Sequence, residues 1–213
     1  MLRAWQIVNT PALGSGLFDA YFPEMPQQTT LFSVPMPDGF HYQPDLISPE
    51  DEASLAAWIA TLPLKPFEFH GYLGNRRIAS FGLRYDYAKA QVKPAPDIPP
   101  ILLLLRDKIA RFAGHKPEDF VQAMATEYAP GAGIGWHRDK PQFGDTVGLS
   151  LLAEARFRLR RKDGQRWLRL SKDIQPRSVY LLSGDVRQNW EHSIPPQEQL
   201  RYSITFRTRA GAK

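Results

Sequence analysis

The sequence of 213 residues contains no cysteine. This absence excludes a disulfide scaffold, a thiolate zinc site, an iron–sulfur cluster and a cysteine nucleophile. No apolar run approaches the roughly 18 residues that a transmembrane helix needs, so we expect no membrane partner. The first residues also lack the basic start and apolar stretch of a signal peptide. We therefore expect a cytoplasmic protein, and a monomer.

The composition is that of an ordinary folded protein, with 43% hydrophobic and 23% charged residues. A chain of this length can bury a sizeable core without disulfides or a structural metal. The net charge of +5 and the pI near 9.5 permit nucleic-acid binding without establishing it. A mildly basic enzyme with another substrate fits these values equally well.

Helix and strand signals in the first half of the chain are separated by proline-rich loops. Ser48, followed by proline and three acids, predicts a helix start. Residues 76–87 are rich in aromatics and predict a strand with a bulge at Gly82. The prolines of residues 93–100 predict a loop or linker, and a helix ending at Gly114 should follow.

The second half has the pattern of an antiparallel β-structure. Short apolar runs alternate with turn signals at intervals of about 8–12 residues, which is typical of a sandwich or barrel. The runs cover residues 120–128, 147–152, 156–160, 166–170, 178–182 and 201–207. Lys162–Gln165 predicts a hairpin turn between two of them. The fold class is therefore α+β, with helices and loops packed on a C-terminal β-core.

Three side chains suggest a metal site. On an extended strand His137 and Asp139 point to the same face, so an imidazole nitrogen and a carboxylate oxygen can bind one ion. His192 is a candidate third ligand, although a lone histidine is more often structural. Two histidines and one carboxylate form a facial triad, which suits Fe(II) and leaves three coordination positions open.

The strand Arg201–Arg207 alternates strictly between polar and apolar residues. One face carries Arg201, Ser203, Thr205 and Arg207, and the other carries Tyr202, Ile204 and Phe206. If the apolar face packs outside the barrel, both guanidinium groups point inside and need anions. A dicarboxylate cosubstrate would supply them, because guanidinium binds carboxylate bidentately. The alternative is a polar face exposed to solvent.

These motifs, preceded by Tyr128-Ala-Pro-Gly, resemble the AlkB family of 2-oxoglutarate- and Fe(II)-dependent dioxygenases. The motif match runs from about Met124 to Arg207. The resemblance implies a double-stranded β-helix, a relative of the jelly roll, and an N-terminal lid that holds a nucleobase over the iron. It implies one catalytic domain over residues 1–213, with the extension and lid at about 1–95 and the helix and β-core at about 96–213.

The resemblance also assigns roles residue by residue. His137, Asp139 and His192 match the iron ligands. Arg201 and Tyr128 match the groups that bind the distal carboxylate of 2-oxoglutarate, and Arg207 matches a second arginine near the metal.

The sequence departs from the family pattern at three positions. Thr126 and Ser203 stand where members often carry asparagine beside the cosubstrate, and both are shorter polar groups. Pro141 stands where bacterial DNA-repair members have an acid that reads the exocyclic amine of a methylated base. Proline cannot do this, so the departure concerns the choice of substrate.

Two further groups are candidates for substrate binding. One group combines charge with aromatic rings and could bind a flipped base and its phosphates, although such aromatics are also typical of a core. It consists of Arg76, Arg77, Phe81, Tyr85 and Tyr87. Residues 156–169 hold seven Arg or Lys. In this segment Arg156 and Arg158 alternate with apolar residues and could bind phosphates, or could face solvent.

The residues and the resemblance together predict an oxidative demethylase of N-alkylated bases in DNA or RNA, acting in repair. It would use Fe(II), 2-oxoglutarate and O2 and release formaldehyde, succinate and CO2. One alternative is the same chemistry on a protein side chain or a modified tRNA. Another is a non-catalytic β-sandwich module that binds nucleic acid.

Overall fold

The computed structural model describes residues 35–69 and 72–211, with the backbone alone at Phe69 and Tyr72. The prolines of residues 1–47 predict loops and short extended pieces, and residues 1–34 of this stretch lie outside the described residues. The division into a lid over residues 1–95 and a core over residues 96–213 stays a prediction. No helix in the described part of the chain is long and apolar enough to cross a membrane.

The described residues form twelve strands and three α-helices. The helices are α1 (Pro49–Thr61), α2 (Pro100–Ala113) and α3 (Gly184–Asn189), and a short 3-10 helix covers Pro117–Asp119. The first six strands are β1 (Phe40–Gln43), β2 (Lys65–Phe69), β3 (Tyr72–Asp86), β4 (Gln91–Pro94), β5 (Phe120–Tyr128) and β6 (Ile134–His137). The others are β7 (Phe143–Leu151), β8 (Ala155–Asp163), β9 (Arg166–Ile174), β10 (Val179–Leu182), β11 (Glu191–Ile194) and β12 (Arg201–Arg209).

The strands form two antiparallel sheets. The larger sheet has eight strands in the order β1-β10-β7-β12-β5-β3-β2, with β4 paired to β3. The smaller sheet has the order β6-β11-β8-β9. This arrangement confirms the double-stranded β-helix. The proline-rich stretch 93–100, predicted as a loop or linker, ends the edge strand β4 at Pro94 and begins α2 at Pro100, so only residues 95–99 form a loop. Proline is tolerated at both positions, at the edge of a sheet and at the start of a helix.

Helices α1 and α2 cover the outer face of the larger sheet. Ser48 caps α1 by accepting a hydrogen bond from the backbone of Asp51 at 3.1 Å, and Gly114 ends α2 in the left-handed conformation, as the sequence predicts. Tyr202, Ile204 and Phe206 of β12 are buried in one cluster with apolar side chains of both helices. The polar face of β12 therefore points to the interior between the sheets.

Gly82 divides β3 into two halves that face the interior with opposite parity. Its φ of +71° is in the left-handed region, and a Cβ there would lie 2.4 Å from the Val121 carbonyl oxygen. The strand pairs with β5 up to Gly82 and with β4 from Leu83 onward. Even-numbered residues such as Arg76 line the central cavity before the glycine, and odd-numbered residues such as Tyr85 line it afterwards.

Candidate active site

Two neighbouring strands bring the three candidate metal ligands together. His137 ends β6 and pairs across the ladder with His192 of β11. Asp139 follows two residues later, past the end of β6 rather than on an extended strand as the sequence suggests. One ligand atom from each residue lies within 4.8 Å of the others. The predicted triad is thus assembled, although a short irregular segment positions the carboxylate.

The short hydrogen bonds of the triad go to atoms other than those that face the metal position, and Asp139 Oδ1 accepts only a long hydrogen bond of 3.5 Å from Arg207 Nη2 among the described residues. The ring Nδ1 of His137 lies 2.9 Å from the Gly135 carbonyl oxygen, so Nε2 faces Asp139. Oδ2 of Asp139 accepts hydrogen bonds from Thr146 Oγ1 at 2.8 Å and Arg207 Nε at 3.2 Å. Oδ1 of the carboxylate lies 3.7 Å and 3.9 Å from the Nε2 atoms of His137 and His192. Such outer partners fix the orientation of metal ligands.

The electrostatics of the site favour the protonation states that bind a metal ion. Burial lowers the pKa of His192 to about 3 and also lowers the pKa of His137. Burial alone would raise the pKa of Asp139, but Arg207 and the two histidines hold it well below its ordinary range. The site therefore presents neutral imidazoles and an ionised carboxylate near neutral pH.

Arg187 of α3 holds the segment that carries Asp139. Its guanidinium donates to the backbone carbonyls of Lys140, Phe143 and Gly144 at 2.7–2.8 Å, and to that of Asp139 at 3.3 Å. The sequence did not indicate this role of Arg187. Its local pattern is that of a surface arginine, and contacts with backbone carbonyls of a distant segment leave no local signal.

The residues predicted to bind 2-oxoglutarate lie on β5 and β12 in direct register. Ser203 pairs with Thr126 and Arg201 pairs with Tyr128. Arg201 is fully buried, lies 5.0 Å from the Tyr128 ring and donates Nε to Ser150 Oγ, but its Nη1 has no hydrogen-bond partner. Its side chain is not among those that line the central cavity.

A cavity of about 480 Å³ opens above the triad. Its wall includes Thr126, Tyr128, Ser203 and Arg207 from the expected cosubstrate side. It also includes Arg76 and Tyr85 from the expected substrate side. This volume is in the usual range for a small-molecule site.

Two of the predicted substrate residues lie elsewhere. Arg77 follows Arg76 on β3 and therefore points to the opposite face, where it forms an ion pair with Glu127 at 2.6 Å. Phe81 packs against Trp58 in the core under the helices, with ring centroids 5.8 Å apart. Neither side chain lines the cavity, so the assignment of these two residues was wrong.

The arginines of the basic hairpin of β8 and β9 lie outside the cavity wall, although Phe157 of β8 lines it. Arg156 bonds Ser171, and Arg158 bonds Ser193. Arg158 also lies 5.1 Å from the ring of Trp136, which does line the cavity. The contact of these arginines with phosphates stays a prediction.

Several cavity residues escaped the sequence reasoning. Tyr180 of β10 reaches the cavity across Gly148 of β7, which it faces in the sheet register. Phe67, Lys140 and Thr146 also line the wall. Only the glycine opposite a tyrosine could have indicated a close approach, and that signal requires the strand pairing to be known.

The sequence matches the model of a known protein family. The model of the 2OG-Fe(II) oxygenase superfamily matches residues 59–207. The chain belongs to this superfamily. It is thus a 2-oxoglutarate-dependent dioxygenase, which uses Fe(II), 2-oxoglutarate and O2, and the triad is a fitting donor set for the iron.

Curated relatives confirm the resemblance of this oxygenase to the AlkB family. It is 26% identical over 186 residues to the tRNA (carboxymethyluridine(34)-5-O)-methyltransferase ALKBH8 of Mus musculus, covering 83% of this chain and 27% of that protein. It is 26% identical over 153 residues to the alpha-ketoglutarate-dependent dioxygenase alkB homolog 3 of Bos taurus, covering 64% and 52%. The oxygenase therefore spans about half, or less, of the length of these relatives.

Solved structures share the fold of this oxygenase. The structure of OsALKBH1 superposes with a TM-score of 0.64 at 15% identity, covering 82% of this chain and 98% of that one. A prolyl-4-hydroxylase of Pseudomonas putida superposes with a TM-score of 0.55 at 19% identity, covering 80% and 92%.

Proposed function

We propose that this oxygenase removes methyl groups from ring nitrogens of bases in nucleic acid. The observation that carries the proposal is a cavity of suitable size for a base, with the metal triad on its wall and aromatic and cationic side chains around it. A curated relative from Arabidopsis thaliana, named an alkylated DNA repair protein ALKBH8 homolog, supports a nucleic-acid substrate.

In this proposal His137, Asp139 and His192 hold Fe(II). Arg207 keeps the carboxylate ionised, and Arg187 holds the backbone on which it depends. The chemistry supplied at this site would be O2 activation coupled to decarboxylation of 2-oxoglutarate, ending in succinate, CO2, formaldehyde and the N–H base.

Arg201 would bind the distal carboxylate of 2-oxoglutarate. Its buried Nη1 without a partner is the kind of donor that an anion satisfies, and a charge-assisted pair is the strong form of such a bond. The Tyr128 hydroxyl, with Thr126 and Ser203 on the same stretch of wall, would complete the polar contacts.

The base would enter between the aromatic side chains of the opposite wall. Phe67, Tyr85 and Tyr87 can stack on a flipped base and exclude water from the metal. Trp136 connects this wall to Arg158, so the basic hairpin could follow the phosphates on either side of the base.

The decisive experiment measures formaldehyde release in the presence of Fe(II) and 2-oxoglutarate. The panel contains oligonucleotides with different N-methylated bases, modified tRNA and methylated peptides. We expect release from at least one methylated nucleic acid and none from the peptides. Release from peptides alone would refute the proposal in favour of a protein substrate.

Two variants separate turnover from contamination. Asp139→Ala should abolish formaldehyde release, because the described residues around the site provide no spare ligand for the iron. Arg77→Ala is the matched control, since its side chain points away from the cavity. Iron-dependent 2-oxoglutarate decarboxylation at full rate in Asp139→Ala would disprove the triad. Binding of oligonucleotides without any turnover would favour the non-catalytic module.

A further inference from the structure

The charged groups on the cavity wall are predominantly cationic. Among the residues that the structure describes, the wall contains the cations Arg76, Arg138, Lys140 and Arg207. The only carboxylate on the described part of the wall is Asp139. Its Oδ2 accepts hydrogen bonds from Thr146 and Arg207, and its Oδ1 faces the histidines of the triad. The described part of the wall therefore has no other carboxylate that could pair with a cationic substrate.

Arg76 is the cation best placed to contact a ligand. Its side chain is 9% exposed, and its guanidinium carbon lies 3.7 Å from the centroid of the Phe67 ring. It donates no hydrogen bond to any other residue in ranges 35–69 and 72–211. Stacking fixes the plane of the guanidinium while its N–H groups stay available. These donors are therefore available to an acceptor on a ligand in the cavity.

We propose that the pocket selects methylated bases that are uncharged and present a carbonyl oxygen, and that Arg76 donates to that oxygen. This inference rests on the proposed function and specifies its substrate class. A neutral base brings no like charge toward Arg76, and its carbonyl oxygen can accept from the Arg76 N–H groups. A cationic base with an exocyclic amine brings both a like charge and an unpaired donor.

Two bases isolate this difference. Both 3-methyluracil and 3-methylcytosine carry the methyl group on the same ring nitrogen. The uracil is neutral with a carbonyl oxygen at C4, whereas the cytosine is protonated at neutral pH with an amino group there. Only charge and hydrogen-bond polarity change, so the comparison tests the wall and leaves the position of the methyl group unchanged.

The primary test is binding without turnover. The full chain is loaded with Mn²⁺ and 2-oxoglutarate, and its affinity for one short single-stranded oligonucleotide is measured with either base at the same position. We expect 3-methyluracil to bind about 10- to 150-fold more tightly, the worth of a hydrogen bond from a charged group. Equal affinities, or tighter binding of 3-methylcytosine, would overturn the proposal.

Variants assign the preference to Arg76. Arg76→Ala should reduce the preference to within a few-fold of unity, and Arg76→Lys should keep part of it, because lysine retains the charge without the planar fork. Arg76→Glu should reverse the preference toward 3-methylcytosine, which a damaged fold could not do. Arg77→Ala, on the same strand but facing away, should keep the wild-type ratio. An unchanged ratio in Arg76→Ala and Arg76→Glu would overturn the assignment.

Formaldehyde release from the same oligonucleotides with Fe(II) separates this inference from the proposed function. Selective binding of 3-methyluracil without formaldehyde from either base would leave the pocket assignment standing and remove the demethylase. Formaldehyde from 3-methylcytosine in preference to 3-methyluracil would leave the demethylase standing and remove the pocket assignment.

Discussion

Replacing Arg201 by methionine should separate the stability of the protein from its affinity for 2-oxoglutarate. Arg201 is fully buried, one of its nitrogens has no partner, and its Nε is satisfied only by Ser150. Replacing a complete set of buried ionic groups by well-packed apolar residues is often neutral or stabilising by about 1–4 kcal/mol. The same direction is expected here, because Arg201 forms no ion pair with a described residue that the change would leave unpaired. In a protein of this size each kcal/mol corresponds to roughly 2–4 °C in melting temperature.

The same substitution removes the proposed partner of the cosubstrate. A charge-assisted hydrogen bond is worth about 1.5–3 kcal/mol, so the KM for 2-oxoglutarate should rise about 10- to 150-fold. Arg201→Met should therefore melt at or above the wild-type temperature without ligand, yet lose most of the stabilisation that 2-oxoglutarate gives the Mn²⁺-loaded wild type.

Thermal melting with and without 2-oxoglutarate measures both effects in one titration. Arg201→Lys serves as the comparison, because it keeps the charge but not the planar fork and should restore affinity only in part. An equal ligand-induced shift in the wild type and in Arg201→Met would refute the reasoning. It would mean that another group binds the carboxylate.

Three further predictions concern other parts of the site. Burial lowers the pKa of His192 from its ordinary value of 6.5 to about 3, so the unfolded chain binds a proton at this side chain more readily than the folded protein does below pH 6.5. The free energy of unfolding of the metal-free protein should therefore fall by about 2 kcal/mol by pH 5. An equally steep loss in His192→Leu would contradict this. Gly148→Ala should raise the KM for 2-oxoglutarate, because the added Cβ would lie 2.3 Å from Tyr180 Cζ and must displace that ring; an unchanged KM would show that the ring position is unimportant. Removing Arg156 and Arg158 together should flatten the log–log salt dependence of oligonucleotide binding by roughly two units, and identical slopes would make the hairpin a solvated surface.

The elements that sequence reasoning predicted well are those governed by local rules. The cap at Ser48, the glycine stop at Gly114 and the alternation of β12 depend on neighbours along the chain, and the structure has them as expected. His137 and His192 were predicted to share a metal site because their residue types already indicate metal chemistry.

The parts that were missed depend on contacts between distant elements. Arg187 reaches backbone carbonyls of the segment after β6, and no local pattern marks such a contact. Arg77 and Phe81 were grouped with Arg76 because charge and aromaticity coincide there. Assigning faces along β3 needs the parity, and the parity changes within the strand.

The left-handed backbone at Gly82 decides which residues of the second half of β3 face the interior. A substitution that forces Gly82 into regular extended backbone would remove the parity change at unchanged chain length, so the side chains of Arg84 and Asp86 would face the interior in place of those of Tyr85 and Tyr87. The aromatic part of the entrance would become a charged one, while Arg76 and the strand pairing with β5 would stay as they are. A single substitution could thus exchange the chemistry of the entrance without rebuilding the metal site.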